Sequence, residues 1–428
     1  MQTIAVPLAS ILNERTRKYV TNTLQEPLAI LLKKMGVDET TELVDSIEKI
    51  SKVMFKEDDI VILTLLTGGT ENLALGVARK ALHTPIMLLT SNEYNSFPAG
   101  LELLPALREE GHYVKLIYSK DWKEKHKIEI DNFEKVSRAI IKLRKLKVGL
   151  IGGPSNWLIS SIPKKINKKI KLNLVKVYLN ELYKRYRKYD NIEQVEKIRE
   201  IKKQAKKGTE VSDKDLNLAY KMHLALDELM DDLKINYVSV KCFDIIRDLK
   251  TTLCLSCFIT NSKERIVGCE GDIPSLITMI AMSSLANAPT WMSNPIKVNL
   301  RDNTLTLAHC TISRKLTSKH GLRSHFESNL GVGINGVLKH NMKVTLSRIG
   351  KDLNEAILLT GKIIDSDFKD EEVCRTKAVI ELDQNLSEFM DKSIGNHIIM
   401  LPGNYMEQLA ELYNFFKIKV VCCKAVKN

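Results

Sequence analysis

Ile60-Val61-Ile62-Leu63-Thr64-Leu65-Leu66-Thr67-Gly68-Gly69-Thr70-Glu71 is the stretch on which the fold turns. Its first seven residues are a nearly continuous apolar run of strand length, without the alternation of a half-solvated strand. That pattern belongs to a parallel strand buried on both faces. The glycines end the strand, and a helical pattern carries the chain through Ala81. Outward from this unit, residues 3–8, 85–89 and 114–118 read as further strands. Residues 15–35 and 98–110 read as helices that stop at Gly36 and Gly111. Strands alternating with helices predict an α/β domain with a mostly parallel sheet.

A second α/β block begins at Lys147-Val148-Gly149-Leu150-Ile151-Gly152-Gly153, again a strand running into glycines. Strands follow over 174–179 and 237–240. Ser212 or Asp213 caps a helix that reaches Leu233, and another helix covers 272–285. The character changes near Ala288-Pro289. Short alternating segments over 296–300, 304–308, 331–338, 342–349, 355–362, 377–382 and 397–401 predict a β-barrel or sandwich. A helix over 405–416 and a strand over 419–423 close the chain. The expected domains are residues 1–145, 146–287 and 288–428.

The 428 residues, 44% hydrophobic and 27% charged, exclude a disordered or fibrous chain. No apolar run reaches the ~18 residues of a membrane span, and the first twelve residues lack a signal peptide's cationic start. Eight cysteines are too sparse for a disulfide scaffold. Reduced thiols and a cytoplasmic location are expected. The formal charge of +13 is concentrated: residues 162–207 hold 16 Lys/Arg and 5 Asp/Glu, a net +11. This reads as an anion-binding patch or as a solvated helical face. Tyr178, Tyr183, Tyr186 and Tyr189 within it suit packing as well as base stacking.

Three turns lie where strands run into helices: the glycine turns Gly68-Gly69-Thr70 and Gly152-Gly153, and the Tyr94–Pro98 turn with Asn95. Each is a candidate anion-binding turn or a plain βα connection, and none matches a dinucleotide or Walker fingerprint. Cys242, Cys254, Cys257 and Cys269 include a lone CxxC, which leaves buried thiols, a metal or cluster site, and redox chemistry open. In Gly268-Cys269-Glu270-Gly271-Asp272, Asp272 precedes Ile273-Pro274 and suits a helix N-cap. Glu270 has no such structural use. His309 and His397 fall at or near strand ends, and His325 and Glu327 join them if their segment is extended. One glutamate and two histidines up to 127 residues apart can converge on one divalent cation.

With Cys269–Asp272, Ala308-His309-Cys310-Thr311, Gly395-Asn396-His397 before Pro402-Gly403, and Thr67–Glu71 with Asn95–Glu102, the chain resembles the L-fucose/L-arabinose isomerase-like family. The likeness is strongest to its archaeal fucose isomerase-related branch, and the motifs run in order along almost the whole chain. The resemblance implies two Rossmann-like α/β domains followed by a C-terminal β-barrel-type domain. It also implies aldose–ketose isomerisation of a sugar or sugar derivative through an ene-diol, assisted by Mn²⁺ or another divalent cation, in a homo-trimer or homo-hexamer. Glu270 then matches the family's glutamate that ligates metal and moves the proton, with Asp272 as a second catalytic carboxylate. His309 and His397 match its histidine ligands. Trp291, His325, Glu327 and Asn396 become substrate-binding candidates. The chain departs from the family at Asn294, where an acidic ligand is expected. The alternatives are a different enzyme on this scaffold, acting on a phosphorylated or acidic polyol, and a non-catalytic binding or assembly protein. Membrane and nucleic-acid partners are not expected.

Overall fold

The computed structural model describes residues 2–81, 83–122, 126–161, 170–262 and 264–422. The chain is a mixed α/β protein that divides into two compact units, Met1–Ile141 and Lys142–Asn428.

In the first unit, β1 (Thr3–Leu8), β2 (Glu39–Thr40), β3 (Ile60–Leu65), β4 (Ile86–Thr90) and β5 (Val114–Tyr118) form one sheet in the order β2-β1-β3-β4-β5. Every pairing is parallel. β1, β3 and β4 are buried along their whole length, as the unalternating apolar run requires. The helix expected over 15–35 is two helices, Glu14–Gln25 and Pro27–Lys34. Pro27 has no N–H to continue the first helix and instead opens the second, where the missing donor costs nothing. Gly68 lies against the turn after β4: a Cβ there would sit 2.9 Å from the Asn95 Cβ, and its N–H donates to the Tyr94 carbonyl at 2.7 Å.

The second unit begins with β6 (Lys147–Ile151), β7 (Asn173–Val177), β8 (Tyr237–Val240) and β9 (Ile266–Cys269), a parallel sheet in the order β7-β6-β8-β9. The helix Asp213–Asp232 is capped by Ser212, and the helix Ile273–Ala286 by Asp272. The latter helix is buried almost all round, against β9 on one side and the following sheet on the other.

That following sheet is built from β10 (Trp291–Asn299), β11 (Thr304–His309), β14 (Lys343–Ile349), β15 (Glu355–Asp365), β16 (Thr376–Leu382), β17 (Ile398–Pro402) and β18 (Lys419–Cys422). Between them come β12 (Lys319–Arg323) and β13 (Gly333–Val337), a separate antiparallel pair. The large sheet runs β14-β17-β10-β11-β16-β15-β18, and β14 also pairs with β15. Six strands are thus joined in a circuit, with β18 added in parallel to β15. Its apolar faces, including Trp291, Leu305, Leu346, Ile380 and Met400, form a large continuous core.

Part of the basic segment, residues 162–169, lies outside the described residues. In the rest, Lys184, Arg185, Lys188, Lys197 and Lys202 each pair with an acidic side chain. Tyr183 and Tyr186 are buried, while Tyr178 is exposed. No helix among the described residues is long and apolar enough to cross a membrane.

Candidate active site

Glu270 follows β9 directly, at the carboxyl edge where open parallel sheets bind ligands. Its φ is +62°, a left-handed conformation that costs a side-chain-bearing residue free energy and needs neighbours to hold it. The Gly152–Trp157 turn supplies them. The Ser155 N–H donates to the Glu270 carbonyl at 2.8 Å, and the Trp157 indole N–H donates to Oε2 at 2.6 Å. Gly271 makes this clamp feasible. At φ +70°, a Cβ there would lie 2.2 Å from the Gly153 carbonyl oxygen.

Three neighbouring strands bring the other groups. Asn294 on β10 stands opposite Ala308 on β11, one residue before His309. Ser293 stands opposite Ile398 on β17, one residue after His397. Register alone therefore gathers Asn294, His309 and His397 at one end of β11, β10 and β17. Glu270, His309 and His397 each offer a ligand atom, and these atoms lie within 4.8 Å of one another. All three residues are buried.

His397 is oriented from behind. Its Nδ1 lies 2.8 Å from Asp272 Oδ2 and its Nε2 lies 3.5 Å from Glu270 Oε1. Asp272 also accepts from the Ser275 amide (3.0 Å) and hydroxyl (2.9 Å) and pairs with Arg348 at 3.1 Å. Arg348 is itself fully buried, and donates further to Ser161, Ser275 and the His397 carbonyl. Burial pushes the Asp272 carboxyl up, but the Arg348 guanidinium and His397 outweigh it and hold it well below the usual carboxylate range. Asp272 is therefore an anionic cap and a support for His397.

Glu270 shows a similar contest. Burial raises it, His397, His309 and the Trp157 N–H lower it, and the net direction is down. Burial lowers His397, the two carboxylates raise it, and the net direction is up. His309 is pushed down to about 4 by burial and by the nearby His397. Its Nδ1 meets the Cys310 N–H and the Thr311 hydroxyl, each at 3.0 Å. The amide suits a ring protonated at Nε2. Thr311, as acceptor, suits a ring protonated at Nδ1, whose Nε2 lone pair is free for a cation.

The donor set is one carboxylate, one amide oxygen and two imidazoles, a hard-to-borderline set suited to Mn²⁺ or a similar divalent ion. Asn294 Oδ1 and His397 Nε2 are buried and make no hydrogen bond. An orphaned amide oxygen, and an imidazole nitrogen that faces a carboxylate at 3.5 Å without a hydrogen bond, fit a cation. Glu270, Asn294, His309, His325 and Glu327 line one small cavity of about 30 Å³ together with Phe243 and five cysteines. Burial pushes the Glu327 carboxyl up.

The remaining candidates lie elsewhere. Trp291 is fully buried in the core of the large sheet, and Asn396 is exposed. Gly152 and Gly153 line a groove beside the cavity with Gly271. Gly68, Gly69 and Asn95 line a cleft in the first unit, while Thr70 is buried and donates to the Thr67 carbonyl. Trp157 and Arg348 were not among the expected site residues. Alternation along β14 did place Arg348 on the face of Val344 and Leu346, so a buried cation was readable there.

No family model matches the chain. A curated protein named sulfoquinovose isomerase, from Clostridium sp. (strain MSTE9), is 20% identical over 230 residues, which are 50% of this chain and 51% of that protein. The chain thus matches about half the length of that relative, a sugar isomerase.

Proposed function

We propose that the protein is a metal-dependent aldose–ketose isomerase acting on a sugar or sugar derivative, of the fucose isomerase-like kind. The carrying observation is the convergence of Glu270, His309 and His397, with the orphaned Asn294 Oδ1 on the wall of the cavity that Glu270 and His309 line. The likeness to a sugar isomerase supports the reaction class. The circuit of six strands is, in this reading, the barrel-type domain, and the assembly is a homo-trimer or homo-hexamer.

Glu270, Asn294, His309 and His397 would hold the cation. Mn²⁺ or a similar ion supplies positive charge to the oxygens of an ene-diol, whose parent C–H is otherwise a very weak acid. Glu270 is the one carboxylate of this group and takes the proton from C2 and returns it to C1. The Trp157 N–H keeps its carboxyl aimed and ionised. Asp272 fixes the His397 ring and keeps Nε2 turned toward Glu270. Asn294 is neutral, so it binds without taking a proton.

Sugars and acidic sugar derivatives incubated with the Mn²⁺-loaded protein in deuterated water should yield ketose with solvent deuterium at C1. Glu270→Gln should lower the rate at least ~10³-fold while leaving the fold intact by circular dichroism. Turnover undiminished in Glu270→Gln would reject the assignment of the base.

A further inference from the structure

Beside the Glu270 group the cavity holds a second set of donors with different chemistry. Cys254 opens the helix Cys254–Thr260, Cys310 lies one residue beyond β11, His325 two residues beyond β12, and Cys374 two residues before β16. Cys254, Cys310 and His325 are buried, and their ligand atoms lie within 4.8 Å of one another. Cys374 lines the same cavity, just outside that close trio. His325 turns Nδ1 to the Ser328 hydroxyl at 3.3 Å, which orients the ring and leaves Nε2 as the nitrogen for a cation.

We propose that Cys254, Cys310, Cys374 and His325 bind one thiophilic divalent cation of the zinc class, separate from the oxygen- and imidazole-rich group at Glu270. Three sulfurs and one imidazole are a complete tetrahedral set. Zn–S bonds of ~2.3 Å place sulfurs roughly 3.8 Å apart, so the Cys254–Cys310–His325 group needs only a small contraction, and Cys374 closes in on it from the cavity wall as the fourth ligand. Simple packing accounts for Cys257, which is fully buried on the same helix and belongs to neither ligand group. It does not account for two thiols and a ring nitrogen meeting at one point, with a third thiol on the same cavity wall. Binding exchanges thiol protons to solvent for metal–sulfur bonds, with no change of oxidation state. The cation would staple four segments drawn from residues 254 to 374 and fix Cys310, hence the neighbouring His309. The proposal does not rest on the isomerase reading.

Reduced, chelator-stripped protein titrated with Co²⁺ tests it. We expect one equivalent to give a thiolate-to-cobalt charge-transfer band with the visible bands of a tetrahedral site, displaced by Zn²⁺. The band should persist in Glu270→Gln, which separates this site from the proposed isomerase centre. It should weaken at least ~10-fold in apparent affinity in Cys310→Ser and in the milder Cys374→Ser. If Cys310→Ser fails to fold, Cys374→Ser decides. Absence of the band in the fully reduced wild type, a band undiminished by the cysteine changes, or a band lost with Glu270→Gln would overturn the proposal.

Discussion

His309 is where burial acts most plainly on a single residue. In the metal-free protein it takes a proton only near pH 4, whereas an unfolded histidine does so near 6.5. Between those values the unfolded chain binds more protons, so stability falls as pH falls. The slope is about 1.4 kcal/mol per pH unit for one histidine. His223 and His320, also lowered by burial, act with the same sign. His397 is raised, so its contribution is present below 6.5 and is lost only as pH climbs through its folded value, outside this window. Denaturant titrations between pH 4 and 6.5 should therefore show a rising stability that flattens by about one proton in His309→Asn. An unchanged slope would mean that His309 is not buried as a neutral ring. The sequence could nominate His309 by its place at a strand end. It could not give the burial, which comes from tertiary packing.

At the scale of elements, the turn after β6 and the turn after β9 work as one unit, because Gly271 lets the two backbones touch. Gly153→Ala and Gly271→Ala separate conformational strain from contact. Both positions have positive φ, but a Cβ at Gly153 meets nothing within 4 Å, whereas one at Gly271 meets a carbonyl oxygen. Gly153→Ala should cost about 1 kcal/mol, the strain alone. Gly271→Ala should cost clearly more and should release Trp157 from Glu270, seen as a change in tryptophan emission. Equal losses would show that the contact carries nothing. The elements were legible where pattern and burial agree. β3 and β4 announced themselves by unbroken apolar runs, and Asp272 by its place ahead of Ile273-Pro274. β12 and the helices Cys242–Leu249 and Cys254–Thr260 went unread. β12 (Lys-His-Gly-Leu-Arg) lacks an apolar alternation, and its pairing partner carries two glycines. Local propensity is weak there, and long-range pairing decides.

For the whole molecule, charge was legible and partnership was not. The basic segment could be counted in the sequence, but Glu228, Asp232 and Asp213, all outside it, find its cations only in the fold. The thiol group likewise escaped the sequence, which drew attention to a CxxC while the structure joins Cys254 to Cys310 and His325 from a helix start and two loops far apart in the chain. Light scattering at micromolar concentration should report a trimer or hexamer, and a stable monomer would remove the proposed assembly. In the proposed enzyme Glu270, Asn294, His309 and His397 form one centre for a divalent cation. Calorimetric titration of the chelator-stripped protein with Mn²⁺ tests it most directly. One saturable site is expected, lost in His397→Gln and tightened in Asn294→Asp, which adds a carboxylate in nearly the same volume. No Mn²⁺ binding by either the wild type or Asn294→Asp, or binding unchanged in His397→Gln, would contradict it.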